Sequence, residues 1–207
     1  MQRKTLRRAA LVTGALGYIA VGIVHPVPDP DLGDPTGFFV FLHLVQPFLI
    51  GLLAYGVWGL VDGIPGRAAK VARFMVVPYA LAYTVFETVA GTGMGMMIGV
   101  ANDLPASDQA EMAALVDGLR DHWLGYPLYF AAGLTWLATA VATAVALGRS
   151  APRHVVLLVG IGGAIFSVAH PQPIGPVGMT LFLAGVVLYW RREREADRVE
   201  APVLLPT

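Results

Sequence analysis

The stretch from Gly37 to Val61, GFFVFLHLVQPFLIGLLAYGVWGLV, contains no charged side chain. A helix that crosses a bilayer needs roughly 20 mostly apolar residues at ~1.5 Å rise each, and this run supplies them. Working outward, comparable runs extend from about Ala9 to His25, Val71 to about Gly99, Tyr126 to Leu147, Val155 to His170 and Pro176 to Trp190. The expected fold is all-α: a polytopic membrane bundle of six transmembrane helices forming one domain over residues 1–207, with 191–207 as a short cytoplasmic tail. The composition agrees, with 56% hydrophobic and 14% charged residues and a mean hydropathy of +0.65, far from a soluble domain.

Arg3, Lys4, Arg7 and Arg8 ahead of an apolar run also describe a secretory signal peptide. Retention of the segment is expected, because His25-Pro26-Val27-Pro28 follows it without a small-x-small cleavage site, and because the charge pattern needs it. With the N-terminus inside, the clusters at residues 3–8, 67–73, 149–153 and 191–198 all become cytoplasmic, leaving Arg120 as the one basic residue outside. Cytoplasmic loops retain Lys and Arg, so this split predicts a multi-pass protein of the cell inner (plasma) membrane with both termini cytoplasmic. Asp29, Asp31, Asp34, Asp103, Asp108, Glu111, Asp117 and Asp121 make the outer face negative.

Fourteen basic residues balance 14 acidic ones, which gives no support to a nucleic-acid partner. The absence of cysteine excludes disulfides, thiolate metal sites and iron–sulfur clusters. The partner that the composition does demand is the lipid bilayer.

Between Val100 and Gly125 the pattern changes. Ser107 suits an N-cap, Asp108 and Glu111 suit a first turn, and Met112, Val116, Leu119 and Trp123 recur at helical spacing. A short amphipathic extracytoplasmic helix is expected, lying on the outer surface or capping the bundle. A weak internal echo also appears: His25-Pro26-Val27-Pro28 and His170-Pro171-Gln172-Pro173 close the first and fifth spans, with Gly17 and Gly162 eight residues upstream of each histidine. Gly91, Gly95 and Gly99 form a small-residue stripe of the kind that lets membrane helices approach closely.

Glu87 is the carboxylate that lies well inside a span, where insertion scales charge on the order of 2.5 to 3.5 kcal/mol unless the group is paired, neutral or wetted. Tyr83 and Tyr79 precede it by one and two turns. At similar depth lies His43, with Gln46 one turn on and Pro47 lacking the N–H that would satisfy the carbonyl of His43. That turn is expected to face protein or a polar cavity rather than lipid. His25, His122 and His170 fall on the same outer side.

Histidines with a carboxylate drawn from separate helices suit a transition metal, with His25, His43, Glu87, His122 and His170 as candidate ligands. Haem is the other cofactor considered, with His25 and His170 as axial imidazoles. In either case Glu87 and His43 are the candidate catalytic pair, acting on a small or lipid-like substrate in redox or hydrolytic chemistry. Two rival readings stay open. In one, a small proton-coupled transporter or permeation accessory passes protons between Glu87 and a histidine; in the other, the chain is a scaffold subunit without catalysis. Met94, Met96 and Met97 fit gap-filling better than copper binding. Asp29, Asp31 and Asp34 depart from an EF-hand spacing. Neither a serine triad nor a phosphate-binding loop is present.

Overall fold

The computed structural model describes residues 2–26, 36–168 and 173–199, and among them there is no strand. The helices are α1 (Gln2–Val24), α2 (Thr36–Leu60), α3 (Arg67–Phe86), a π-helical segment (Glu87–Gly93), α4 (Met94–Asn102), α5 (Ala106–Asp121), α6 (Tyr126–Leu147), α7 (Arg153–Val168) and α8 (Ile174–Val199). Five stretches are long and apolar enough to cross a membrane, and α7 is a shorter apolar helix. At 16 residues and ~1.5 Å rise it measures about 24 Å, less than the ~30 Å hydrocarbon layer.

Helices α1, α2, α3, α6, α7 and α8 pack in chain order, and α8 closes back on α1. Leu11, Tyr18, Ile50, Leu53, Tyr79, Trp136, Met179 and Phe182 fill the centre of this ring. The outside is apolar as well: Phe48, Phe74 and Leu134 are 75%, 70% and 67% exposed. A soluble protein does not leave such a surface bare, and the arrangement is compatible with an integral membrane protein.

Absent β-carbons set the closest helix approaches. One on Gly56 would stand 2.5 Å from Leu11 Cα, and one on Gly162 would stand 2.4 Å from Phe182 N. Backbone cannot yield to such contacts, so α1/α2 and α7/α8 are close-packed pairs. Gly17, the counterpart of Gly162 in the sequence echo, likewise faces the following helix, against Leu49. In α6, Thr139 and Thr143 return their hydroxyls to the carbonyls of Thr135 and Thr139 at 2.8 Å, and Trp136 Nε1 donates to Gly163 O at 3.0 Å. The polar atoms of a buried helix are thereby satisfied without water.

Several boundaries differ from the sequence reading. Helix α1 begins at Gln2 rather than near Ala9, because nothing in the basic segment breaks a helix and its side chains gain partners across the bundle. Helix α3 runs without a gap through the π segment into α4, giving a stretch of 36 residues, about 54 Å at ~1.5 Å rise, longer than a ~30 Å hydrocarbon layer. Ser107 is not the cap of α5. Pro105 occupies that position in extended conformation, and Ser107 Oγ donates to Asp108 instead. Val116 of the expected apolar stripe is buried, while Trp123 is 63% exposed; α5 rests mainly on α4.

The basic ends of α1, α3 and α8 meet, with the end of α2, at one end of the bundle. Arg7 and Arg73 both pair with Asp62, and Lys4 and Arg8 both pair with Glu193. Arg149 Nη1 donates to Pro65 O at 2.9 Å, which joins the α2–α3 turn to the end of α6. The hydrogen bond from the Arg7 guanidinium holds the Asp62 carboxyl below the usual carboxylate range.

Candidate functional site

At the opposite end, α2 and the third span run antiparallel, and their polar residues meet in register. Glu87 and Gln46 are both fully buried. Gln46 Nε2 donates to Glu87 Oε2 at 2.8 Å, so the partner that a buried carboxyl needs comes from α2, one turn from where the proline-marked face of the sequence puts it. One turn further out, His43 Nε2 stands 3.6 Å from the same carboxyl oxygen. His43 is itself buried.

The tautomer of His43 is set by its other nitrogen. Nδ1 lies 2.8 Å from the carbonyl oxygen of Phe39, which can only accept, so Nδ1 carries hydrogen. A neutral ring then turns the Nε2 lone pair toward Glu87. His25 follows the same rule, with Nδ1 2.8 Å from Pro26 O. The His25 and His43 rings stand edge to face with centroids 5.1 Å apart, and Phe39 packs on both. The order from the end of α1 inward is therefore His25, His43, Glu87 with Gln46, and then a group of tyrosines. Tyr83 neighbours the Glu87 carboxyl and stacks on Tyr18 and Tyr79 at 6.3 and 5.6 Å.

Two backbone features hold this arrangement. The first is the π segment that Glu87 opens: the Met94 N–H reaches back to Val89 O, one residue beyond the α-helical partner. Such single-turn expansions recur at functional sites. Thr88, Thr92, Gly91 and Gly93 make the segment a poor α-helix interior, and Thr88 Oγ1 takes the Thr84 carbonyl at 2.8 Å. Helical periodicity of the sequence had no means of showing this extra residue.

The second is the notch at Gly91. A β-carbon there would lie 1.9 Å from His43 Cδ2 and 2.8 Å from His43 Cβ, while Gly95 gives the same clearance to Phe39 and Val40. The small-residue stripe thus seats α2, and its functional member holds His43 against Glu87.

The structure thus brings together His25, His43, Gln46, Tyr83 and Glu87. His122 is placed elsewhere: it caps α5 in an extended conformation, is exposed, and has its ring beside Trp123. The separation follows from α5 resting on α4 rather than over the ring of spans. His170 lies outside the described residues, as do Asp29, Asp31 and Asp34. Among the described residues, no three His, Asp or Glu side chains converge as a metal would require.

Beneath the site, Tyr79, Tyr83, Tyr129, Trp136 and Ser167 border a cavity of about 10 Å³, the room of a single water. No protein-family model matches this chain, and neither a curated protein nor a solved structure matches it.

Proposed function

We propose that this chain is a six-span inner-membrane protein in which Glu87 and His43 exchange a proton and couple that exchange to the movement of a small solute. The observation that carries this reading is the facing of an imidazole lone pair and a buried carboxyl at 3.6 Å, with the imidazole pinned from behind by Phe39. An approach of well under 1 Å would make the proton-transfer hydrogen bond. Gln46 suits both protonation states. Its amide nitrogen donates to a carboxylate, and after a flip its oxygen accepts from a carboxylic acid; that oxygen is buried and has no hydrogen-bond partner. Intramembrane acids paired with histidine are the usual material of proton relays.

The test is infrared difference spectroscopy of the protein in lipid across a pH step. A carboxyl carbonyl band is expected to respond, to vanish in Glu87→Gln, and to respond at a different pH in His43→Gln. A carboxyl band that never changes would reduce Glu87 to structural glue and end the transport reading.

A second reading is favoured by one observation. Both His25 and His43 give Nδ1–H to a backbone carbonyl, which is how metal-ligating histidines are oriented, with Nε2 toward the ion. A transition metal or haem held there would be measured as metal per chain together with an absorption spectrum.

The orientation within this proposal, with both termini cytoplasmic, rests on the basic clusters gathered at one end of the bundle and on the positive-inside rule. Ser107 and Ser150 are both exposed, at opposite ends of the α5–α6 stretch. A single cysteine at Ser107 is expected to react with an impermeant maleimide on intact cells, and one at Ser150 is not. Labelling at Ser150 in sealed cells would reverse the orientation.

A further inference from the structure

The end of the bundle opposite the His–Glu site carries an open cavity of about 520 Å³ between α1, α2 and α8. Arg3, Lys4, Arg7 and Arg8 line it from one face of α1, and Gly59, Leu60 and Trp190 supply a floor and wall without charge. One acid, Asp62, lines the cavity as well, and a second, Glu193, pairs with its cations. Asp62 is divided between Arg7 and Arg73, and Glu193 between Lys4 and Arg8. Each acid therefore serves two cations, and among the described residues Arg3 has no ion pair, so the cavity keeps an excess of positive charge. Nε of Arg7 and Nε of Arg8 are moreover buried without a hydrogen-bond partner, although a guanidinium N–H out of water normally has one.

Position along the helices gives the ligand a second property. Arg7 and Arg8 immediately precede the uncharged run of α1, Leu60 ends that of α2, and Trp190 ends that of α8. The cavity thus lies where hydrocarbon gives way to water, the level at which Trp and the basic side chains of membrane helices gather. A β-carbon on Gly59 would collide with the stem of Arg7 at 2.5 Å; its absence lets that stem lie flat on α2. The guanidinium is then held at the cavity edge by Asp62, and Arg8 lies over the Trp190 ring at 5.3 Å.

We infer that this cavity binds the headgroup phosphate of an anionic phospholipid from the surrounding leaflet, with the acyl chains passing out along the apolar sides of α1 and α2. The phosphate takes charge-assisted hydrogen bonds from the α1 cations. Basic pockets between membrane helices recognise anionic lipid in this way. A soluble phosphate ester shares the headgroup chemistry but gains nothing from the apolar floor.

The experiment is native mass spectrometry of the full chain in neutral detergent, titrated with phosphatidylglycerol or with phosphatidylcholine of the same acyl chains. One phosphatidylglycerol per chain is expected to bind at least about tenfold tighter than phosphatidylcholine. Arg3→Gln with Lys4→Gln, both at exposed positions, is expected to lower that affinity about tenfold, while Arg3→Lys with Lys4→Arg keeps it. Lys70→Gln with Arg153→Gln, which removes two charges from the same end but outside the cavity, is expected to leave it unchanged. Equal affinities for the two lipids, full binding by the Arg3/Lys4 glutamine variant, or an equal loss in the control variant would each overturn the proposal. Displacement of phosphatidylglycerol by an equal concentration of glycerol 3-phosphate would overturn the lipid as the source of the phosphate.

Discussion

Gly91→Ala is expected to abolish the pH response of the Glu87 carboxyl and to lower the melting temperature of the protein in detergent. The new methyl carbon would overlap the His43 ring at 1.9 Å and reach 2.8 Å from His43 Cβ. Because the contact includes the β-carbon, rotating the ring about its own bonds relieves it only in part. Either α2 moves away from the π segment, or His43 leaves the rotamer that holds Nδ1 on the Phe39 carbonyl. Both outcomes separate Nε2 from Glu87. Overpacking of this kind typically costs about 1 to 3 kcal/mol, so most molecules should still fold while the pair is broken. Substitution at Gly51, where a β-carbon meets nothing, supplies the control: Gly51→Ala should leave both the melting temperature and the infrared response intact. A Gly91→Ala protein with an unaltered carboxyl response would show that His43 takes no part in it.

Glu87→Leu is expected to destabilise the bundle by about 2 kcal/mol, and Glu87→Gln by under about 1 kcal/mol. Leucine removes the acceptor for Gln46 Nε2 and leaves a buried amide with no partner on either atom; Gln46 Oε1 already lacks one. Glutamine keeps the shape and the hydrogen-bonding capacity but holds no exchangeable acid proton. Thermal unfolding of the two variants beside wild type separates structure from chemistry. If glutamine is silent in stability but removes proton coupling in vesicle uptake, the carboxyl has a chemical role. If both substitutions are silent, neither its hydrogen bond nor its proton matters. Metal per chain, measured on the same samples, decides the second reading, since glutamine is a poor substitute for a carboxylate ligand.

The apolar helices and the face that carries the site were legible in the sequence because both leave regularities along the chain. Lipid demands apolar runs, so the extent of α6 follows directly from its residues. The cost of an intramembrane acid directed attention to Glu87, and Pro47 with the spacing of His43 and Gln46 identified the facing turn of α2. The rest depended on interactions between segments, which leave no periodic trace. Tyr83 or Tyr79, one and two turns away, was the expected hydroxyl partner; Tyr83 does adjoin the carboxyl, but the hydrogen bond from Gln46 on another helix has no counterpart in local spacing. The π turn adds one residue to a helix without changing its composition. His122 was expected on the same side as His25, His43 and His170, but it lies away from His25 and His43, because a side assignment carries no information about lateral position. The pairing of Asp62 and Glu193 with the α1 cations was equally hidden, since charge counting assigns side chains to a face and not to partners.

The contact between α8 and α1 has a consequence for biosynthesis. A ring packed in chain order grows one wall at a time as the chain leaves the ribosome, and each helix finds its earlier neighbour already in place. The seam is different: α1 is made before the other helices of the ring, and its second neighbour, α8, after them. Until α8 is in place, Lys4 and Arg8 lack the counter-charge of Glu193, and Arg8 lacks the ring of Trp190. If the ring assembles in a bilayer as proposed, it stays a half-closed crescent until α8 arrives, open to lipid along that one edge.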